Sequence, residues 1–136
     1  MNKSADEPKI FIINRESSMS LLLIRLFRDH FEKKVEMETF FNVGEALPKI
    51  KEGIDAGIKV IIVTNLGYQH EIKETIAFMK KVKESENGQE VSIIVTSGSG
   101  KFGADVAMKA GAALFIPMPF QSKEYLMAML KRVFPQ

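Results

Sequence analysis

Five short apolar runs punctuate the chain, and a stretch of helical periodicity follows each one. Lys9-Ile10-Phe11-Ile12-Ile13-Asn14 is continuous in β-branched and aromatic residues, as a strand buried on both faces requires. Ser17-Ser18 supply N-cap chemistry, and Met19, Leu22, Leu23, Leu26, Phe27 and Phe31 then recur at helical spacing. Val35, Met37 and Thr39 alternate with Glu36 and Glu38, the pattern of a half-exposed strand. Asn42 is placed to cap a helix to about Gly53, with Ala46, Leu47 and Ile50 inward and Pro48 expected to shorten or distort it. Lys59–Asn65 is a third strand. His70 to about Glu84 is a helix, with Ile72, Ile76, Met79 and Val82 on one face and Glu86-Asn87-Gly88 ending it. Val91–Ser97 is a fourth strand. A short helix is expected from near Ala104, because Gly98, Gly100 and Gly103 each weaken a helix interior. Ala113–Pro117 is a short, proline-ended edge strand. Ser122–Phe134 is the last helix, its buried stripe Leu126, Met129, Leu130 and Val133.

Strands alternating with helices imply a parallel sheet wrapped on both faces. The first, third and fourth runs are the most apolar and belong at its centre, while the alternating second run belongs at an edge. Right-handed crossovers then favour the order 2-1-3-4-5, a doubly wound α/β fold of the flavodoxin kind. A polar tail over residues 1–8 precedes a single domain over 9–134. The chain has no cysteine, which excludes disulfides and thiol chemistry and fits a cytoplasmic protein. A net charge of +2 gives no reason to expect nucleic acid or anionic lipid as a partner. No apolar run is long enough to span a bilayer, and MNKSADEP reads as neither signal nor anchor.

Sheets of this kind bind ligands beyond the carboxyl ends of the strands, at the switch point between strands one and three. That rule selects Asn14, Arg15 and Glu16 on one side and Thr64, Asn65 and Leu66 on the other, with Thr96-Ser97 and Pro117-Met118-Pro119 beside them. A competing signal is Gly98-Ser99-Gly100-Lys101-Phe102-Gly103, which has the glycine spacing of a dinucleotide-binding turn. It follows strand four rather than strand one, no acid closes the next strand, and the Gly-Lys-Ser/Thr of a phosphate loop is absent. The plainer reading is a mobile glycine-rich connection that delays the fourth helix. His30 suits a helix-end or surface role and His70 a helix start; neither has metal-ligand spacing with the other.

At these residues the chain resembles the receiver domain of two-component response regulators, over nearly everything from Pro8 to Phe134. The resemblance lies in Ile12-Ile13-Asn14-Arg15-Glu16-Ser17-Ser18-Met19, in Val60-Ile61-Ile62-Val63-Thr64 and in Ile93-Ile94-Val95-Thr96-Ser97. It continues in Lys109-Ala110-Gly111-Ala112 and in Phe115-Ile116-Pro117-Met118-Pro119-Phe120. The resemblance implies Mg²⁺ held by an aspartate pair and a phosphoryl group accepted on a third aspartate. This chain departs from that pattern. Asn14-Arg15 stands at the aspartate pair, Thr64 at the acceptor and Met118 at the lysine that clamps phosphate, with Thr96 alone retained; Asn65 is an off-by-one candidate acceptor. An amide, a guanidinium, an alcohol and a thioether make a poor site for a hard divalent cation. Arg15 is expected to occupy the cation's place, bonding Thr64, Asn65 or Glu16.

The expectation is therefore a phosphorylation-independent receiver acting as a protein-interaction module in signalling, without catalysis, metal or cofactor. In the family the face made by helix four, strand five and helix five binds partners or pairs with itself. Here that stretch holds Phe102, Met108, Phe115, Met118, Phe120, Tyr125, Met127 and Met129, of which Phe102, Tyr125 and Met127 are the better surface candidates. Two other readings stay open: a small-ligand sensor using the altered pocket, and a nucleotide-binding enzyme working through residues 98–103.

Overall fold

The apolar runs pair in parallel because each is followed by a helix long enough to carry the chain back across the sheet. The computed structural model describes residues 8–31, 35–67, 70–85, 91–120 and 122–135. Its strands are β1 (Lys9–Ile13), β2 (Glu36–Phe40), β3 (Val60–Asn65), β4 (Val91–Ser97) and β5 (Leu114–Pro117). Its helices are α1 (Ser17–Phe31), α2 (Val43–Asp55), α3 (Ile72–Glu84), α4 (Gly100–Lys109) and α5 (Lys123–Val133). The strand order is 2-1-3-4-5, as the pattern of apolar runs predicts.

Side-chain alternation along the strands divides the core in two. Phe11, Ile13, Ile62, Ile93 and Val95 face α2, α3 and α4, meeting Ile50, Ile54, Phe78, Met79, Val82 and Ala107. Ile10, Ile12, Ile61, Val63, Ile94 and Ile116 face α1 and α5, meeting Leu23, Phe27, Phe31, Leu126 and Leu130. Rings reinforce both layers, with Phe11 stacked on Phe40 at 6.1 Å and Phe27 on Phe31 at 6.4 Å. His30 belongs to the second layer. It is buried, its Nε2 lies 2.9 Å from the Phe134 carbonyl oxygen, and its ring meets Phe31 edge-on, so it ties the end of α1 to the end of α5.

Several expectations change. α4 begins at Gly100, not near Ala104. The weak helix propensity of glycine, about 1 kcal/mol per residue, is overridden because Gly103 must lie against its neighbours: a Cβ there would sit 2.9 Å from Ser99 Cβ and 3.4 Å from Leu66 Cδ2. Pro48 does not shorten α2, which runs to Asp55. The bond Pro48 removes is to the Gly44 carbonyl in the exposed opening turn, where water can replace it. Asn42 does cap α2, accepting from the Glu45 amide at 2.9 Å, and Ser122 caps α5 by accepting from the Tyr125 amide at 3.1 Å. Ser17 and Ser18 lie inside the first turn of α1, whose Ser20 amide donates to the Glu16 carbonyl. On edge strand β2, Thr39 is exposed and Glu38 half-buried beside Lys9. Most of the polar tail and Glu86-Asn87-Gly88 lie outside the described residues.

Candidate functional site

At the carboxyl ends of the strands the register decides which side chains meet. Ile13 pairs with Thr64, and Asn65 pairs with Thr96. Thr64 follows Val63 of the α1–α5 layer, so it points the other way, toward α2, α3 and α4. Asn65 points to the α1–α5 side. Asn14 extends β1 by one residue through its amide bond to the Phe40 carbonyl, and alternation from Ile13 puts it on that side too. Thr96 follows Val95 and joins them, and Met118 packs onto the same layer. A row Asn14–Asn65–Thr96 thus crosses β1, β3 and β4 at strand spacings of about 4.8 Å. Thr64, set at the acceptor position by the resemblance, stands outside this row. It is fully buried, and its hydroxyl donates to the Asn65 carbonyl at 3.2 Å.

The bonds within the row leave donors over. Asn14 Oδ1 accepts from the Glu16 amide at 2.9 Å, which fixes the amide's orientation and leaves Nδ2 without a partner among the described residues. Asn65 Oδ1 accepts from the Gly67 amide at 2.7 Å. Thr96 Oγ1 is buried and also lacks a partner among the described residues. A buried polar group left unpaired costs on the order of 1–3 kcal/mol, so two within one row mark a place built for something other than stability. Met118 bonds through its backbone, its amide donating to the Ser97 carbonyl at 2.9 Å.

Arg15 does not enter the row. Its guanidinium turns across the mouth to pair with Glu71, just ahead of α3, and lies 5.8 Å from the Phe41 ring centroid. Glu71 wins over Glu16 because its side chain is only 16% exposed and so less screened by water. Gly67 makes room for it: the backbone there has φ +88°, and a Cβ would stand 2.9 Å from Glu71 Cβ. Glu16 itself is exposed. The sequence holds no spacing that announces Glu71 or Phe41; the cross-cleft contact exists only once β1 and β3 are neighbours.

Asn14, Arg15, Phe41, Thr64, Asn65 and Glu71 border a cleft of about 970 Å³, whose walls also include Glu74, Ser97, Ser99 and Phe102, while Thr96 lies beneath its lining. The side chains do not fit Mg²⁺. The row offers two amides and an alcohol, the nearest cation is Arg15, and Glu71 is engaged by it. Among the described residues no group of three or more His, Cys, Asp or Glu is gathered to hold a metal ion.

No protein-family model matches the sequence, and no curated protein matches it. Solved structures do. A chemotaxis response regulator of Vibrio cholerae superposes with a TM-score of 0.71 at 20% identity, over 93% of this chain and 98% of that one. The receiver domain of a sensor histidine kinase of Pseudomonas aeruginosa, solved with a magnesium ion coordinated in its active-site cleft, gives 0.71 at 13% identity, over 95% and 98%. A protein of Burkholderia pseudomallei named as pilus assembly-related gives 0.71 at 16% identity, over 98% and 93%. The fold is that of a response-regulator receiver domain. At these identities the likeness is one of fold.

In this receiver fold the glycine-rich segment 98–103 is a tight strand-to-helix turn. Gly100 has φ +63°, and Ser97 Oγ receives the Ser99 amide at 3.0 Å while donating to Ser99 Oγ at 2.8 Å. Gly103 serves close packing, so the turn is not the slack connection that its glycines suggest. On the α4–β5–α5 face, Phe102 is 61% and Tyr125 45% exposed, but Met127 is half-buried against the α1–α5 layer. Met108, 50% exposed, joins the exposed pair instead. Among the described residues no helix is long and apolar enough to cross a membrane.

Proposed function

We propose that the chain is a receiver module of two-component type that signals through protein contacts without taking up a phosphoryl group. One observation carries the reading: the strand-end residues that line the cleft, Asn14, Thr64 and Asn65, include no carboxylate. Phosphoryl acceptance on this fold needs an ionised nucleophile and a cation beside it. Asn65, the residue in line with Thr96, is an amide with its oxygen already bonded to Gly67. At the mouth Arg15 pairs with Glu71, which ties the loop after β1 to the segment before α3 and holds the site in one arrangement.

Contact with partners falls to the α4–β5–α5 face, where Phe102, Met108 and Tyr125 expose apolar surface that a protein partner or a second copy would cover. This module acts as no enzyme, and the turn at 98–103 binds no nucleotide. The test is NMR of ¹⁵N-labelled protein with Mg²⁺ and beryllofluoride. The expected result is no saturable shift at Asn65, Thr64 or Thr96. Saturable shifts there, or the added mass of a phosphoryl group after incubation with Mg²⁺ and acetyl phosphate, overturn it.

A further inference from the structure

The cleft at the strand ends carries an unassigned set of complementary groups. At its floor, Asn14 is 8% exposed, its oxygen is held by the Glu16 amide, and its Nδ2 has no partner among the described residues. A donor fixed in this way calls for an oxygen or ring-nitrogen acceptor. The walls hold three carboxylates, Glu16, Glu71 and Glu74, against one guanidinium, Arg15, which is engaged with Glu71. That balance repels phosphate and other anions and favours a ligand with an amino donor. Phe41 and Phe102, 56% and 61% exposed, border the same opening and offer ring faces for stacking. The volume, about 970 Å³, admits a molecule with two fused or linked rings.

We infer that the cleft binds an uncharged, amino-bearing ring compound of nucleoside size, which gives Asn14 an acceptor, donates an amino group to the free glutamates and stacks at the Phe41–Phe102 rim. The base edge of adenosine or cytidine has this pairing of amino donor and ring acceptor. The glycine turn contributes Gly98, Ser99 and Phe102 to one wall, but the chemistry is not that of a phosphate loop: the site selects against phosphate. It meets the α4–β5–α5 partner face at Phe102 alone, since Tyr125 and Met108 do not line it.

The test titrates the ¹⁵N-labelled chain with adenosine, cytidine and their 5′-monophosphates, following the Asn14 side-chain amide and the backbone amides of Ser97 and Ser99. At least one nucleoside is expected to give saturable shifts, with its monophosphate weaker by about tenfold or more from like-charge repulsion. Asn14→Ala abolishes the shifts at Ser97 and Ser99. Glu74→Gln, a change at an exposed position, weakens binding of the nucleoside while narrowing the gap to its monophosphate. No saturable shift with any of the four, equal or tighter binding of a monophosphate, or undiminished shifts in a folded Asn14→Ala variant overturns the inference. Uptake of beryllofluoride with Mg²⁺ overturns the proposed function, whereas failure of the nucleoside titration overturns this inference alone.

Discussion

The middle of the sheet and its carboxyl end are built on opposite terms. In the middle, Ile10, Phe11, Ile12, Ile61, Ile62, Ile93 and Ile94 are fully buried within two apolar clusters. At the carboxyl end, within two residues of the same strands, Asn14 and Thr96 carry polar atoms with no partner among the described residues, Gly67 takes a left-handed backbone and an ion pair spans the opening. The difference teaches that the fold of this chain is sustained by its two apolar layers, to which the polar groups at the strand ends add little. Chemistry at the strand ends is free to change because the layers beneath already supply the stability.

Substitutions can break or sharpen that contrast. The largest effect belongs to the layers: Phe27→Ala, at a fully buried ring, should cost about 3–5 kcal/mol, read as a lower urea midpoint with unchanged slope. At the mouth, Gly67→Ala should cost about 1–2 kcal/mol, since it forces a side chain into φ +88° and against Glu71 Cβ. NMR should show the Arg15–Glu71 contact loosened there while the sheet amides stay in place. If that variant loses as much stability as Phe27→Ala, the mouth is part of the core and the contrast fails. Arg15→Gln should change stability by less than about 1 kcal/mol, because Arg15 is half-exposed, yet it should alter the shifts of Glu71 and Phe41.

The smallest effect lies far from both regions. Lys83 donates to the Val91 carbonyl at 2.6 Å, and burial holds its pKa below the usual 10.5. The folded chain therefore releases that proton before the unfolded chain does. Between the lowered pKa and 10.5 the unfolded state binds more protons, so stability rises with pH through that window. Urea midpoints of the native chain and Lys83→Met, compared across alkaline pH, should diverge in slope in that direction. Parallel slopes would show that Lys83 titrates alike in both states.

Periodicity made the elements legible. Runs such as Val60–Asn65 and Val91–Ser97 can be buried on both faces only in the centre of a sheet, and alternation in Glu36–Phe40 suits an edge. Departures came where a neighbour in space outweighed local preference. α4 starts at Gly100 because Gly103 must approach Ser99, and Met127 is half-buried against the α1–α5 layer although Tyr125, two residues before it, stays exposed.

The sequence by itself determined the layered α/β architecture, the strand order and the amide and hydroxyl side chains at positions 14, 64 and 65, because those follow from residue type and spacing along one chain. The tertiary structure decided which residues share the cleft. Thr64, turned toward α2, α3 and α4, and Asn65, turned the other way, both line it although one step of strand alternation separates them, and no local pattern shows that. The contact of Arg15 with Glu71 likewise arises only when β1 and β3 lie side by side and Gly67 leaves room for the carboxylate.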